Sequence, residues 1–258
     1  MRAPNWPAAA LYHASGRAPM VIICEHASSF IPPEYDGLGL DKAGHTSHAA
    51  WDIGALDVAK CLSTLLDAPL VAGQVSRLVY DCNRPLEASD CIPKRSEVID
   101  IPGNANLTDT ERKRRFDTVH TPFHDSVDWL IDRQTERSLS PVRLVTIHSF
   151  TPIFHGQQRA VEIGYLHDSS TKLAEAALEA EAGLGSFNTA INEPYAARDG
   201  VTYSLAKHGT ARDIDNVMIE VRNDLIDTPT KAQNMAQHLA GVLRSAVSLD
   251  SSSNREAI

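Results

Sequence analysis

Short, continuously apolar runs alternate with amphipathic stretches from residue 20 onward, and this alternation most constrains the fold. Met20–Cys24 (MVIIC) is a β-branched run bounded by Pro19 before it and by Glu25 and His26 after it. Residues 70–75, 77–82 (RLVYDC), 142–147, 159–166 and 217–221 have a similar character and predict further strands, mostly of the buried kind. Between them, residues 47–66 carry Ile53, Leu56, Ala59, Leu62 and Leu66 at helical spacing. Thr108 followed by Glu111 fits a capping box, so a helix is predicted from about 109 to 137, kinked near Pro122. Residues 171–181 and 228–247, the latter introduced by Pro229, complete the predicted helices. The pattern predicts an α/β three-layer sandwich with a central mixed, mostly parallel sheet flanked by helices. Residues 1–258 read as one domain, with 1–19 and the Ser-rich 248–258 as poorly ordered extensions.

Composition excludes several function classes. The 24 Lys+Arg against 33 Asp+Glu leave a net charge of −9, which argues against a nucleic-acid groove or a polybasic membrane surface. No apolar run approaches the roughly 18 residues of a transmembrane helix, and the Ala/Pro-rich start does not read as a signal peptide. Four scattered cysteines without a CxxC pair make neither a disulfide framework nor a thiolate zinc site, and a cytoplasmic location is expected.

Chemistry in open α/β sheets sits beyond the carboxyl ends of the strands. Four apolar runs end in reactive residues: one in Glu25 and His26, one in Asn83 and Arg84, one in His148, and one in Glu220 with Arg222. No GxSxG elbow occurs, and no cysteine has a local activating partner. Two imidazoles, a carboxylate and an open water position form the common catalytic zinc arrangement, so His26 and His148 read as metal ligands. The compact His-x-x-Glu spacing fails because Ser29 stands three residues after His26. If residues 48–52 (HAAWD) are helical, His48 and Asp52 share a face; Asp52 is then the expected oxygen ligand, with His48 as rival or supporting partner. The alternative for Glu220 is an ion pair with Arg222, and for Arg84 one with Asp81 or Glu87.

At these residues the chain resembles the N-formylglutamate amidohydrolase family. The resemblance rests on CEHAS (24–28) with Pro32, HAAWDIGA (48–55), SRLVYDCNRP (76–85), IPGN (101–104) and PFH (122–124). It continues through TIHSFTP (146–152), EIG (162–164), NEPY (192–195) and IEVRNDLI (219–226). That family is similar to the zinc carboxypeptidases and the succinylglutamate desuccinylase and aspartoacylase group. The resemblance implies a zinc carboxypeptidase-like, phosphorylase/hydrolase-like sheet and hydrolysis of a small anionic N-acyl amino acid by one bound Zn²⁺. It implies His26 and His148 as zinc ligands, Asn83 and Arg84 on the substrate carboxylate, and Glu220 as general base. Ser29 departs from the zinc-binding glutamate of the related peptidases. His124 belongs to the matching PFH segment without a role that the sequence assigns. N-formyl-L-glutamate is the expected substrate. Another N-acyl amino acid deacylase, a carboxypeptidase-like hydrolase and a non-catalytic binder of an acidic metabolite are the alternatives.

Overall fold

The apolar runs at 20–24, 142–147 and 217–221 become adjacent strands at the centre of a seven-stranded sheet. The structure, a computed structural model, describes residues 4–256. In chain order the strands are β1 (Ala9–Tyr12), β2 (Met20–Cys24), β3 (Leu70–Gly73), β4 (Arg143–Phe150), β5 (Ile163–Leu166), β6 (Thr189–Ile191) and β7 (Asn216–Arg222). Their spatial order is β1-β3-β2-β4-β7-β5-β6. The central β3, β2, β4 and β7 run parallel, β1 is antiparallel to β3, and β5 is antiparallel to β7 but parallel to β6. The sheet is therefore mixed around a parallel centre.

Side-chain alternation along the strands divides the core into two layers. Ile22, Val145, Ile147 and Ile219 pack under α1 (Ala55–Leu66), α3 (Lys172–Leu184) and α4 (Pro229–Glu256). Val21, Ile23, Leu144 and Met218 face α2 (Thr121–Arg137) and the long connection between β3 and α2. His148 and Glu220 fall on the same parity as Leu144 and Met218, so both point into this second layer.

Several expectations are corrected. Residues 77–82 are not a strand, although Leu78, Val79 and Tyr80 are fully buried. Their backbone is satisfied without a ladder: Asn104 Nδ2 donates to the carbonyls of Leu78 and Pro93 at 2.8 Å, and Arg115 Nη1 donates to that of Val79. An apolar run fixes burial, and long-range side-chain donors have here replaced a neighbouring strand. The predicted helix at 47–66 begins only at Ala55. Gly54 precedes it at φ +80°, where a Cβ would collide with the Ile226 carbonyl. His48 and Asp52 therefore do not share a helical face.

The chain stays helical through Pro122, where a kink is predicted, and departs from regular α-helix only one turn earlier. Residues 116–120 form a wide turn in which the Thr121 amide reaches the Phe116 carbonyl, and Pro122 sits in the first turn of α2. The Thr108 cap forms as expected, accepting from the Glu111 amide. Ala9–Tyr12, within the stretch read as an extension, is the edge strand β1. The tail expected at 248–258 continues as helix to Glu256; residues 1–3 and 257–258 lie outside the described residues. All four cysteines are free thiols. Among the described residues no helix is long and apolar enough to cross a membrane.

Candidate active site

The candidate site forms where β2, β4 and β7 carry polar residues on the second-layer face. Glu25 and His26 follow the last residue of β2. His148 lies within β4 and Glu220 within β7, directly opposite each other in the parallel register. Both strands continue past the residues that the apolar pattern took as their ends. Asp52 arrives from the turn before α1. Its amide donates to the His26 carbonyl at 2.9 Å, while Ser149 Oγ donates to the Ile53 carbonyl at 2.8 Å and ties the same turn to β4.

His26, Asp52 and His148 converge as one buried cluster, with one ligand atom from each within 4.8 Å of the others. Asp52 Oδ2 lies 2.9 Å from His148 Nδ1 and 3.4 Å from His26 Nδ1, and the two rings meet edge to face at 5.0 Å. Buried His26 Nδ1 makes no hydrogen bond. The far nitrogens both face carboxylates: His26 Nε2 lies 2.7 Å from Asp81 Oδ1, and His148 Nε2 lies 3.1 Å from Glu25 Oε2. Imidazoles backed by carboxylates, with their other nitrogens turned toward a shared oxygen, are how metal-binding histidines are usually oriented. The donor set suits a divalent cation that accepts nitrogen and oxygen ligands.

Electrostatics reinforce this arrangement. Burial and the Arg77 charge push His26 down to about 4, so its ring is neutral and its lone pair free at neutral pH. Burial works against ionised Asp81, yet His26, Arg84 and Arg77 hold it well below the usual carboxylate range. Burial also opposes charge on Glu25 and His148, but each favours the charged form of the other: Glu25 is lowered and His148 raised.

A cleft of about 210 Å³ opens over the cluster, and Arg77, Arg84, Tyr195 and Glu220 line it together with the three cluster residues. Burial raises the Glu220 carboxyl despite His148 and Arg77 nearby, and its Oε2 is buried without a hydrogen bond. Arg77 bonds Asp52 Oδ1 through Nη2. Arg84 Nε is held by Asp90, and its Nη1 donates to the carbonyls of Asn83 and Gly200. Asn83 also borders the cleft, but its amide is engaged: Nδ2 donates to the Val201 carbonyl and Oδ1 accepts from the Ser204 amide at 3.0 Å.

The other sequence candidates lie farther out. His48 stands at the mouth of the cleft, 2.9 Å from Glu97. Arg222 pairs with Asp224 and Glu162 rather than with Glu220. His124 is buried against His120 and His208, away from the cleft lining.

Sequence reasoning gave no site role to Arg77, Glu25, Asp81 or Tyr195. Arg77 and Asp81 lie inside a run with the pattern of a strand, and Glu25 stands with His26 among the reactive residues at the end of another without a role of its own. The Asp81–His26 contact joins residues 55 apart in the chain, and no local period encodes that pairing.

Fold and site together describe a mixed α/β protein with a central sheet flanked by helices and a His₂Asp cluster capable of coordinating a metal ion. A family model described as N-formylglutamate amidohydrolase matches residues 18–227, and the chain belongs to this family. Among solved structures it is similar to gene product Atu2144 from Agrobacterium tumefaciens. That match has 43% identity and a TM-score of 0.92, and covers 95% of this chain and 97% of the other. It shares its fold with an N-formylglutamate amidohydrolase from Ralstonia eutropha JMP134 at 17% identity and a TM-score of 0.64, covering 95% and 98% of the two chains. No curated protein matches.

Proposed function

We propose that the protein is a zinc-dependent amidohydrolase that cleaves the amide bond of a small N-acyl amino acid, with N-formyl-L-glutamate as the first candidate. The observation that carries this reading is the free Nδ1 of His26 facing Asp52 Oδ2 and His148 Nδ1, in a cleft that also holds an unpaired buried carboxylate, Glu220. Membership of the N-formylglutamate amidohydrolase family supports the substrate class.

His26, Asp52 and His148 would hold the ion, which when bound supplies Lewis-acid polarisation and acidifies water. Glu220, raised by burial, accepts the proton of the attacking water as its oxygen adds to the acyl carbon. Arg77 lines the cleft beside Asp52 and supplies a cation there for the negative charge that develops on the acyl oxygen. Glu220 then passes its proton to the leaving nitrogen as the C–N bond breaks, giving formate and the free amino acid. Arg84 is anchored through Nε and Nη1, which leaves Nη2 for the substrate carboxylate. Asn83 supports that arginine by fixing the 201–204 backbone.

Hydrolysis of N-formyl-, N-acetyl- and N-succinyl-glutamate by metal-stripped and zinc-reconstituted protein tests the reading. Zinc-dependent turnover fastest on the formyl substrate supports it. Equal turnover in the metal-stripped protein refutes the metal role. Binding without hydrolysis makes the protein a metabolite binder.

A further inference from the structure

Asp128, His208, His124 and the Cys82 carbonyl form a continuous polar string that the proposed chemistry leaves unused. Asp128 Oδ1 lies 3.0 Å from His208 Nδ1, His208 Nε2 lies 2.6 Å from His124 Nδ1, and His124 Nε2 lies 2.9 Å from the Cys82 carbonyl oxygen. Both rings are buried and stack at 4.9 Å.

Hydrogen counting constrains this string. A neutral imidazole has one donor and one acceptor nitrogen, whereas a carbonyl and a carboxylate only accept. His124 Nε2 must therefore carry a proton, so a neutral His124 accepts at Nδ1 and His208 Nε2 must donate to it. Asp128 accepts at the other end, so His208 Nδ1 must donate as well. Two neutral rings would leave one of the three contacts with lone pair against lone pair, away from water. One extra proton satisfies all three. The carboxylate end of the string lies against His208 while His124 meets only a neutral carbonyl, so the extra proton belongs on His208; burial and the neighbouring His120 and His208, which push His124 well below the usual histidine range, agree with that placement. The other charged and titratable groups facing the string are Lys207, Arg212 (2.8 Å from Asp128), the His120 ring (4.1 Å from His124) and the Tyr203 ring (5.6 Å from His124).

We propose that His208 is a buried imidazolium that, through His124, positions the turn carrying Asn83 and Arg84. The string joins α2, which supplies His124 and Asp128, to the 202–208 segment and to the carbonyl immediately before Asn83. Just ahead of it the carbonyls of Val201 and Gly200 accept from Asn83 and Arg84, and within it the Ser204 amide donates to Asn83 Oδ1, so residues 200–208 and the turn form one unit. The histidine of the PFH segment thereby becomes a positioning residue that acts on Arg84. The effect on substrate rests on the amidohydrolase reading, whereas the protonation of His208 does not.

Nuclear magnetic resonance of the full chain tests the protonation. Wild-type protein should show three exchange-protected ring N–H protons for this pair, two on one ring, assigned by their loss in His208→Gln and His124→Gln. Asp128→Asn is isosteric and half-exposed, and should reduce the three to two. With N-formyl-L-glutamate, Asp128→Asn should raise KM about 3- to 10-fold, the weight of one charge-assisted hydrogen bond, with kcat within about twofold. Only one protonated nitrogen on each ring in the wild type overturns the imidazolium. An unchanged KM alongside a lost ring proton overturns the positioning role. If wild-type protein neither binds nor hydrolyses N-formyl-L-glutamate, the substrate effect falls with the reading it rests on, and the proton count still decides the state of His208.

Discussion

His148 on β4 and Glu220 on β7 occupy the same register position on adjacent parallel strands, with both side chains on the same face of the sheet. A candidate metal ligand and a candidate base are thus held by one backbone ladder rather than by loops. Rigid elements fix such pairs more closely than loops do. On the neighbouring strand, β2 delivers Glu25 and His26 from its carboxyl end, so three adjacent strands bring four of the site groups together.

Metal content follows from the cluster. Elemental analysis of zinc-loaded wild-type protein should find about one ion per chain, as expected for a site with three protein ligands. His26→Ala, Asp52→Ala and His148→Ala should each lose most of it while keeping wild-type circular dichroism. Retention of a full equivalent by all three variants would remove the cluster as the metal site.

Glu220→Gln should reduce kcat by about 10²- to 10⁴-fold, the usual weight of a general base, and leave zinc content unchanged. Because burial raises the Glu220 carboxyl, the wild-type rate should climb with pH through a step above the ordinary glutamate value of about 4.3. The same shift makes a stability prediction. The unfolded chain ionises this carboxyl at lower pH than the folded one, so stability falls as pH rises from the unfolded value through the folded one. Metal-free Glu220→Gln should therefore melt higher than metal-free wild type at pH 7, as scanning calorimetry would show.

Glu25→Gln should weaken zinc binding about 10- to 100-fold in chelator competition, because the carboxylate orients His148 through Nε2. The substitution keeps the side-chain shape, so an unaltered zinc affinity would show that Glu25 does not orient that ring.

Arg84→Lys keeps the charge but loses the planar fork that is anchored on Asp90 and Gly200. KM for N-formyl-L-glutamate should rise about tenfold or more, with a much smaller change in kcat. Steady-state kinetics separates the two effects.

Asn104→Ala removes the donor to the Leu78 and Pro93 carbonyls and the acceptor for Arg115 Nη1. Leaving these buried groups unpaired should cost about 2–4 kcal/mol, measured by urea denaturation. The destabilised segment, residues 77–84, carries Arg77, Asp81 and Arg84, so the KM for N-formyl-L-glutamate should rise as well.

Met20–Cys24 and the cores of β4 and β7 were legible because a strand buried on both faces needs an uninterrupted apolar run. Residues 77–82 have the same local pattern and the opposite outcome, since Asn104 and Arg115 satisfy their backbone from elsewhere in the chain. His26, His148 and Glu220 were visible as polar residues interrupting or ending apolar runs. Helical spacing pairs Asp52 with His48, but Asp52 reaches the cluster from a turn and His48 faces Glu97 instead.

The sequence by itself determined the alternation of buried strands and amphipathic helices, the acidic net charge, and the imidazoles and carboxylate that interrupt or follow the apolar runs. Those properties depend on burial periodicity and composition, which are local. Only the tertiary structure decided which carboxylate backs which imidazole: Asp81 for His26, Glu25 for His148, and Asp128 for His208. Polar contacts of about 3 Å between residues 55 to 123 positions apart are set by how strands and turns pack, and no sequence period records that distance.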